Sequence, residues 1–217
     1  MIRNKKNEYI TYSNMFWLFI VGSLLGVLLE GTFCFVKKGV WETHVVSMFL
    51  PLCVLYGMGA VGCYLIYDLV KEKNKIFQFF TYGLVGDIVE LITGGALYNG
   101  LKMRAWNYTN HLLNYRGYVS FTMTFTWGIV GILFSYLVPY INKVFDKMKH
   151  KAWKAISYVF TVFLIFDFSL TAYSVKRWSN RHYNVKTNSS FAKYIDNKFD
   201  DKFMEKRFCE WKFLDKK

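Results

Sequence analysis

The sequence predicts an all-α, polytopic membrane helical bundle of about five spans, and three observations carry that prediction. Hydrophobic residues make up 53% of the 217 residues, with only two prolines to interrupt helices. Five apolar runs reach membrane length, at 15–36, 46–70, 77–98, 119–141 and 155–175. Carboxylates recur inside those runs at matching places. A hydrocarbon core about 30 Å thick needs roughly 20 apolar residues at about 1.5 Å of rise each. In a soluble protein, helices apolar all round would each need burial on every side, which five of this length make a poor reading.

Residues 1–13 form a polar leader with Arg3, Lys5 and Lys6, and residues 14–70 a first membrane hairpin. The opening run is too long for a signal peptide, lacks a small-residue cleavage motif and holds Glu30, so we read it as a retained span. Gly22, Gly26 and Glu30 follow at four-residue spacing and fall near one helical face. Small residues on such a stripe let helices approach closely in lipid. A short loop at 37–44 carries Lys37, Lys38, Trp41, Glu42 and His44. In the second run, Pro51 marks either a kink or a re-entrant approach ahead of Gly57, Gly59 and Gly62.

Residues 71–141 form a second membrane hairpin around a polar loop at 99–118. The run at 77–98 repeats the first: aligning Gly26 with Gly86 and Glu30 with Glu90 also pairs Gly22 with Tyr82, next to Gly83. Trp127, Gly128 and Gly131 (TWGIVG) echo LYGMG in the second run. We read the two hairpins as copies of one unit running in the same sense, a parallel repeat of the kind used by transporters. The loop at 99–118 holds Arg104, Trp106, Asn107, Tyr108, His111 and Arg116. It is too polar to cross lipid and too aromatic for a plain linker, so it is expected at the interface or over the mouth of the bundle.

Residues 142–176 supply a basic loop (Lys143, Lys147, Lys149, Lys151, Lys154) and a fifth span with Asp167 near its middle. Residues 177–217 make a basic amphipathic tail in which Phe191, Ile195, Phe199 and Phe203 recur every four residues. That spacing predicts a helix lying on the membrane or docked on the bundle. The formal charge of +13 fits topology-setting Lys and Arg and anionic headgroups; no nucleic-acid motif accompanies it, so no nucleic-acid partner is expected. Basic residues fall on both sides of any five-span arrangement, and we take the N-terminus as inside. Cys34, Cys53, Cys63 and Cys209 show neither metal-ligand spacing nor a disulfide framework.

Several segments resemble the small bacterial membrane proteins grouped as ABC-transporter type IV, or CmpB-like, permeases. The resemblance rests on Gly26 and Glu30, LCVLYGMG at 52–59, VELITG at 89–94 with Glu90, WNYT at 106–109, RGY at 116–118 with TWG at 126–128, and IFDF at 165–168 with Asp167. It covers roughly residues 12–175 and implies a bacterial cell-membrane transport protein. Two departures stand out: Met48, Phe49 and Leu50 replace an expected Asn-Pro element before Pro51, and Asn107 replaces the Asp of a WDYS-like motif. The phosphate-cradling Gly-rich loop with its Lys is absent from these residues, so an ATPase would be a separate subunit.

Glu30, Asp87, Glu90, Trp106, His111, Arg116 and Asp167 are the candidates for a substrate or ion cavity. Ionisable groups inside a membrane span are costly and face a protein interior, a partner or a cavity. Glu30 and Glu90 should sit at similar depth, Asp87 shares a helical face with Glu90, and Arg116 could balance their charge. The favoured function is transport of a small solute or ion, with a homo-oligomer or a second membrane subunit as partner beside the lipid bilayer. Two other classes stay open: an enzyme acting on a lipid or lipid-linked substrate, and a membrane scaffold or sensor working through the tail. Nothing in the sequence names a cofactor or a catalytic residue.

Overall fold

The fold is described by a computed structural model over residues 8–41 and 45–214. The leader residues Arg3, Lys5 and Lys6, and Glu42 and His44 of the first loop, lie outside the described residues. Five helices build the body: α1 (Tyr12–Lys38), α2 (Val54–Val70), α3 (Lys75–Leu101), α4 (Phe121–Lys147) and α5 (Lys151–His182). Side-chain oxygens of Thr11, Asn74 and Ser120 accept from backbone N–H groups in the first turns of α1, α3 and α4, satisfying donors that a helix start leaves unpaired. Gly39 ends α1 in the left-handed region at φ 72°, where a residue without Cβ is unstrained.

α1 packs along α2 and α3 along α4, each pair antiparallel, and α2 joins the two hairpins by touching both α3 and α4. α5 runs beside α1 in the same direction: Trp17 and Trp153 rings meet edge to face, as do those of Phe16 and Phe160. Large apolar side chains cover the outer surface, Val36 (81% exposed), Leu69 and Val159 among them. Water would penalise such a surface and hydrocarbon does not. α1, α3, α4 and α5 are each long and apolar enough to cross a membrane, so the molecule is a multi-pass membrane protein.

The elements differ in extent from the sequence reading, most clearly at α2, at the α4–α5 turn and in the tail. The apolar stretch 46–70 becomes helix only from Val54, and α2 has 17 residues, about 26 Å at the usual rise. The segment before it is a closed loop, with Val46 N–H bonding Leu52 C=O at 2.9 Å; Pro51 therefore sits in irregular backbone rather than at a helix kink. Lys143, Lys147, Lys151 and Lys154 belong to helix ends, because α4 and α5 extend beyond their apolar cores and leave a short turn around Met148–His150. The tail is not one helix. It breaks at Phe199, and Asp200 caps a new start by accepting from Phe203 N–H at 2.8 Å.

The tail forms α6 (Ser190–Lys198), α7 (Asp201–Arg207) and a strand β2 (Lys212–Phe213) antiparallel to β1 (Met103–Arg104). Ile195, Phe199, Met204, Phe208 and Trp211 bury against Met48, Met103, Val175 and Trp178. Polar anchors reinforce this docking. Arg177 grips Asp196 through two bonds (2.6 and 3.0 Å), and Arg181 bonds both Asp196 (2.5 Å) and Asp201 (2.8 Å). Burial opposes ionisation of Asp196, but the hydrogen bonds from Arg177 and Arg181 outweigh it and hold the carboxyl below its ordinary range.

Candidate functional site

Glycines determine how the chamber between the hairpins is walled. A Cβ on Gly26 would run into the Tyr56 ring, and one on Gly86 into the Trp127 ring. Each aromatic therefore lies flat on the helix that carries an acid one turn further along. Tyr56 hydrogen-bonds Glu30, and Trp127 Nε1 donates to Glu90 Oε1 at 3.0 Å. The same correspondence continues down the two seams: Gly57 faces Phe19, and Gly128 faces Phe79.

Above these contacts lies a chamber of about 540 Å³, with Glu30, Glu90 and Trp106 in its wall. Its volume is in the range of small-molecule sites. Tyr56 and the adjoining first turn of α2 form one side, Met123 and Trp127 of α4 another, and Thr93 and Leu97 of α3 a third. Tyr108 enters from the 99–118 loop, and Glu210 and Trp211 from the tail. Glu90 is 1% exposed. Its Oε1 also accepts from the Tyr108 hydroxyl at 3.4 Å, whereas Oε2 meets no donor among the described residues. Burial first, then the Glu90 and Glu30 charges, push the Tyr108 phenol well above its ordinary range and keep it a hydrogen-bond donor.

The loop that delivers Trp106 and Tyr108 is itself tightly built. Asn107 Oδ1 accepts from Arg104 Nη1 at 2.7 Å and from Thr109 N–H at 3.1 Å. Gly117, at φ 73°, leaves no room for a Cβ beside the Asn107 and Arg104 side chains. Trp106 Nε1 donates to Tyr118 C=O at 2.8 Å. The side chains of WNYT and RGY thus form one knot at the chamber's edge.

The other candidates stand apart from the chamber. Asp87 accepts from Thr124 Oγ1 at 2.8 Å, joining α3 to α4. His111 is exposed and lies against the Tyr108 ring, while Arg116 is exposed and sits over the Tyr115 ring. Asp167, fully buried in the middle of α5, serves the closed loop before α2. Its Oδ1 accepts from the N–H groups of Met48 and Phe49 at 3.2 Å each, and Ser47 Oγ donates to Oδ2. From the other side the Arg207 guanidinium donates to Ser47 C=O (2.7 and 2.9 Å) and Leu50 C=O (2.8 Å). Non-helical backbone at bundle depth requires such internal partners.

Sequence reasoning passed over Tyr56, Tyr108, Glu210 and Trp211 as chamber residues. Tyr56 could have been found, since it precedes Gly57 as Trp127 precedes Gly128. Nothing in the local sequence ties Glu210 and Trp211 to helices more than a hundred residues earlier. Among the described residues no three His, Cys, Asp or Glu side chains gather as a metal site.

Apolar outer faces and four membrane-length helices define a multi-pass membrane protein, with an acid-lined chamber between two helical hairpins. The chain belongs to the family described as "Putative ABC-transporter type IV", whose model matches residues 17–172. No curated protein and no solved structure matches the chain.

Proposed function

We propose that this protein is a transport protein, or the membrane subunit of a transporter, and that the chamber is its solute or ion site. The observation that carries this reading is the convergence of Glu30 and Glu90, from separate hairpins, on one cavity of about 540 Å³. In this reading α1–α2 and α3–α4 are two parallel copies of one hairpin. The matched pairs Glu30–Tyr56 and Glu90–Trp127, and Gly57 on Phe19 and Gly128 on Phe79, support it. α5 then adds a further crossing, and α2 together with the closed loop before it completes the fifth. ATP hydrolysis, where it drives the cycle, comes from a separate subunit, and a second copy of this chain is a compatible partner.

The test is uptake into proteoliposomes by the wild type and Glu90→Gln, over a panel of labelled cations and small polar solutes. The reading expects at least one solute to accumulate in the wild type and its uptake to fall at least tenfold in the variant, with the melting temperature maintained. Equal uptake by both proteins for every transported solute would remove the chamber from the pathway.

A further inference from the structure

The chamber's lining narrows what it can hold, on the reading that it is the solute site. Its acids are Glu30, Glu90 and Glu210, and no Lys, Arg or His stands among the described lining residues. Five aromatic side chains line it too: Tyr56, Trp106, Tyr108, Trp127 and Trp211. The Tyr56 and Trp127 rings lie 5.7 Å apart, beside the two hairpin acids. The remaining wall is mostly aliphatic, from Val46 and Leu55 to Leu97 and Val130.

An unpartnered buried oxygen sharpens the point. Trp127 and Tyr108 both donate to Glu90 Oε1, leaving the buried Oε2 of this wall residue without a donor among the described residues. A buried carboxylate with one oxygen undonated is costly to keep charged, and a positive charge nearby offsets that cost. A small inorganic ion would use the oxygens but leave the aromatic and aliphatic wall unexplained, and the described acids do not gather as a metal site. A neutral solute would leave the buried Glu90 carboxylate without a positive neighbour. A cation with an apolar body satisfies both: its positive end meets Glu90 and the ring faces, which attract cations, while its hydrocarbon covers the aliphatic wall.

We infer that the chamber binds an organic ammonium ion, with Glu90 as its counter-ion and the Tyr56, Tyr108 and Trp127 rings around the cationic head. The ammonium can belong to a free solute or to a lipid headgroup. The two sources share this chemistry, and the membrane composition separates them.

The test is equilibrium binding of radiolabelled (2-hydroxyethyl)trimethylammonium to the full chain in nanodiscs of phosphatidylglycerol. The neutral isostere 3,3-dimethylbutan-1-ol serves as competitor. The cation is expected to bind at least about 30-fold more tightly than the isostere, the ratio that about 2 kcal/mol of desolvated cation–π attraction gives. Glu90→Gln should lose at least tenfold in affinity while melting as the wild type does. Glu30→Gln, the second variant, should lose affinity by a smaller factor.

Repeating the titration in discs with phosphatidylcholine distinguishes the sources. Unchanged affinity assigns the site to a free solute, and a competitive weakening assigns it to the headgroup. Equal binding of cation and isostere, absence of binding in phosphatidylglycerol discs, or full affinity in folded Glu90→Gln each overturns the inference. Glu90-dependent uptake of some other solute, with no ammonium binding, would sink this inference and leave the transport reading standing. Failure of both experiments would sink the two together.

Discussion

Asp167→Ala should loosen the loop before α2, and the size of the effect follows from the bonds at stake. The substitution strips the acceptor from Ser47 Oγ and from Phe49 N–H, while Met48 N–H keeps Thr171 Oγ1 at 2.9 Å. An unsatisfied buried polar group costs about 1–3 kcal/mol. Two such groups plus the lost charge-assisted bonds come to about 3–5 kcal/mol, comparable with removing one partner of a buried charged network. For a chain of this size that corresponds to a fall of about 10 °C in melting temperature. Asp167→Asn retains Oδ1 for the two N–H groups and disturbs chiefly the Ser47 hydroxyl, a cost of about 1 kcal/mol. The assay is thermal unfolding in nanodiscs, combined with maleimide labelling mapped to individual cysteines. Cys53, buried at the end of the loop, should label faster in the alanine variant. Cys63, buried within α2, is the internal control. If Asp167→Ala melts within about 2 °C of the wild type and Cys53 labels no faster than Cys63, the carboxylate does not hold this loop.

The remaining predictions use the same preparations. Gly86→Ala should lower the melting temperature through about 1–3 kcal/mol of overpacking against Trp127, whereas Gly95→Ala, with open space around its Cβ position, should be neutral or slightly stabilising; equal effects would refute the seam. Arg207→Ala should cost about 1–3 kcal/mol and raise Cys53 labelling, because Ser47 C=O and Leu50 C=O lose their donors; an unchanged labelling rate would show the tail to be dispensable for the loop. Asp196 has a folded pKa below its unfolded value near 3.9, so its contribution is present above about pH 4 and is lost as pH falls through and below that value. The stability gap between wild type and Asp196→Asn should therefore be constant from pH 7 to about pH 5 and close in more acidic buffer; a gap that widens on acidification would reverse the sign of the argument.

The membrane helices were legible because apolar runs of this length have few other uses. Glu30 and Glu90 could be read side by side because each follows a glycine by four residues, and both acids line the chamber. The start of α2 could not. Residues 46–53 are as apolar as a span, and the groups that hold them out of a helix, Asp167 and Arg207, lie about 120 and 160 residues away in sequence. Periodicity reports local preference and is blind to distant partners that satisfy an irregular backbone. The tail failed for a related reason. Apolar residues every four positions suit one helix, yet Asp200 offers a competing cap, and the two short helices that result each turn their apolar sides to the bundle.

The placement of the chamber follows from unequal helices. α1 continues past Glu30 to Lys38 and α3 past Glu90 to Leu101, a further roughly 12–16 Å at the usual rise. Their partners α2 and α4 begin near the level of the acids, where Tyr56 and Trp127 meet Gly26 and Gly86. The space above those two helix starts is bordered by loop and tail, through Trp106, Tyr108 and Trp211. The glycine contacts hold the hairpins together below, while the tail is docked on the upper ends of α3 and α5 by Arg177, Arg181 and the cluster around Val175 and Trp178.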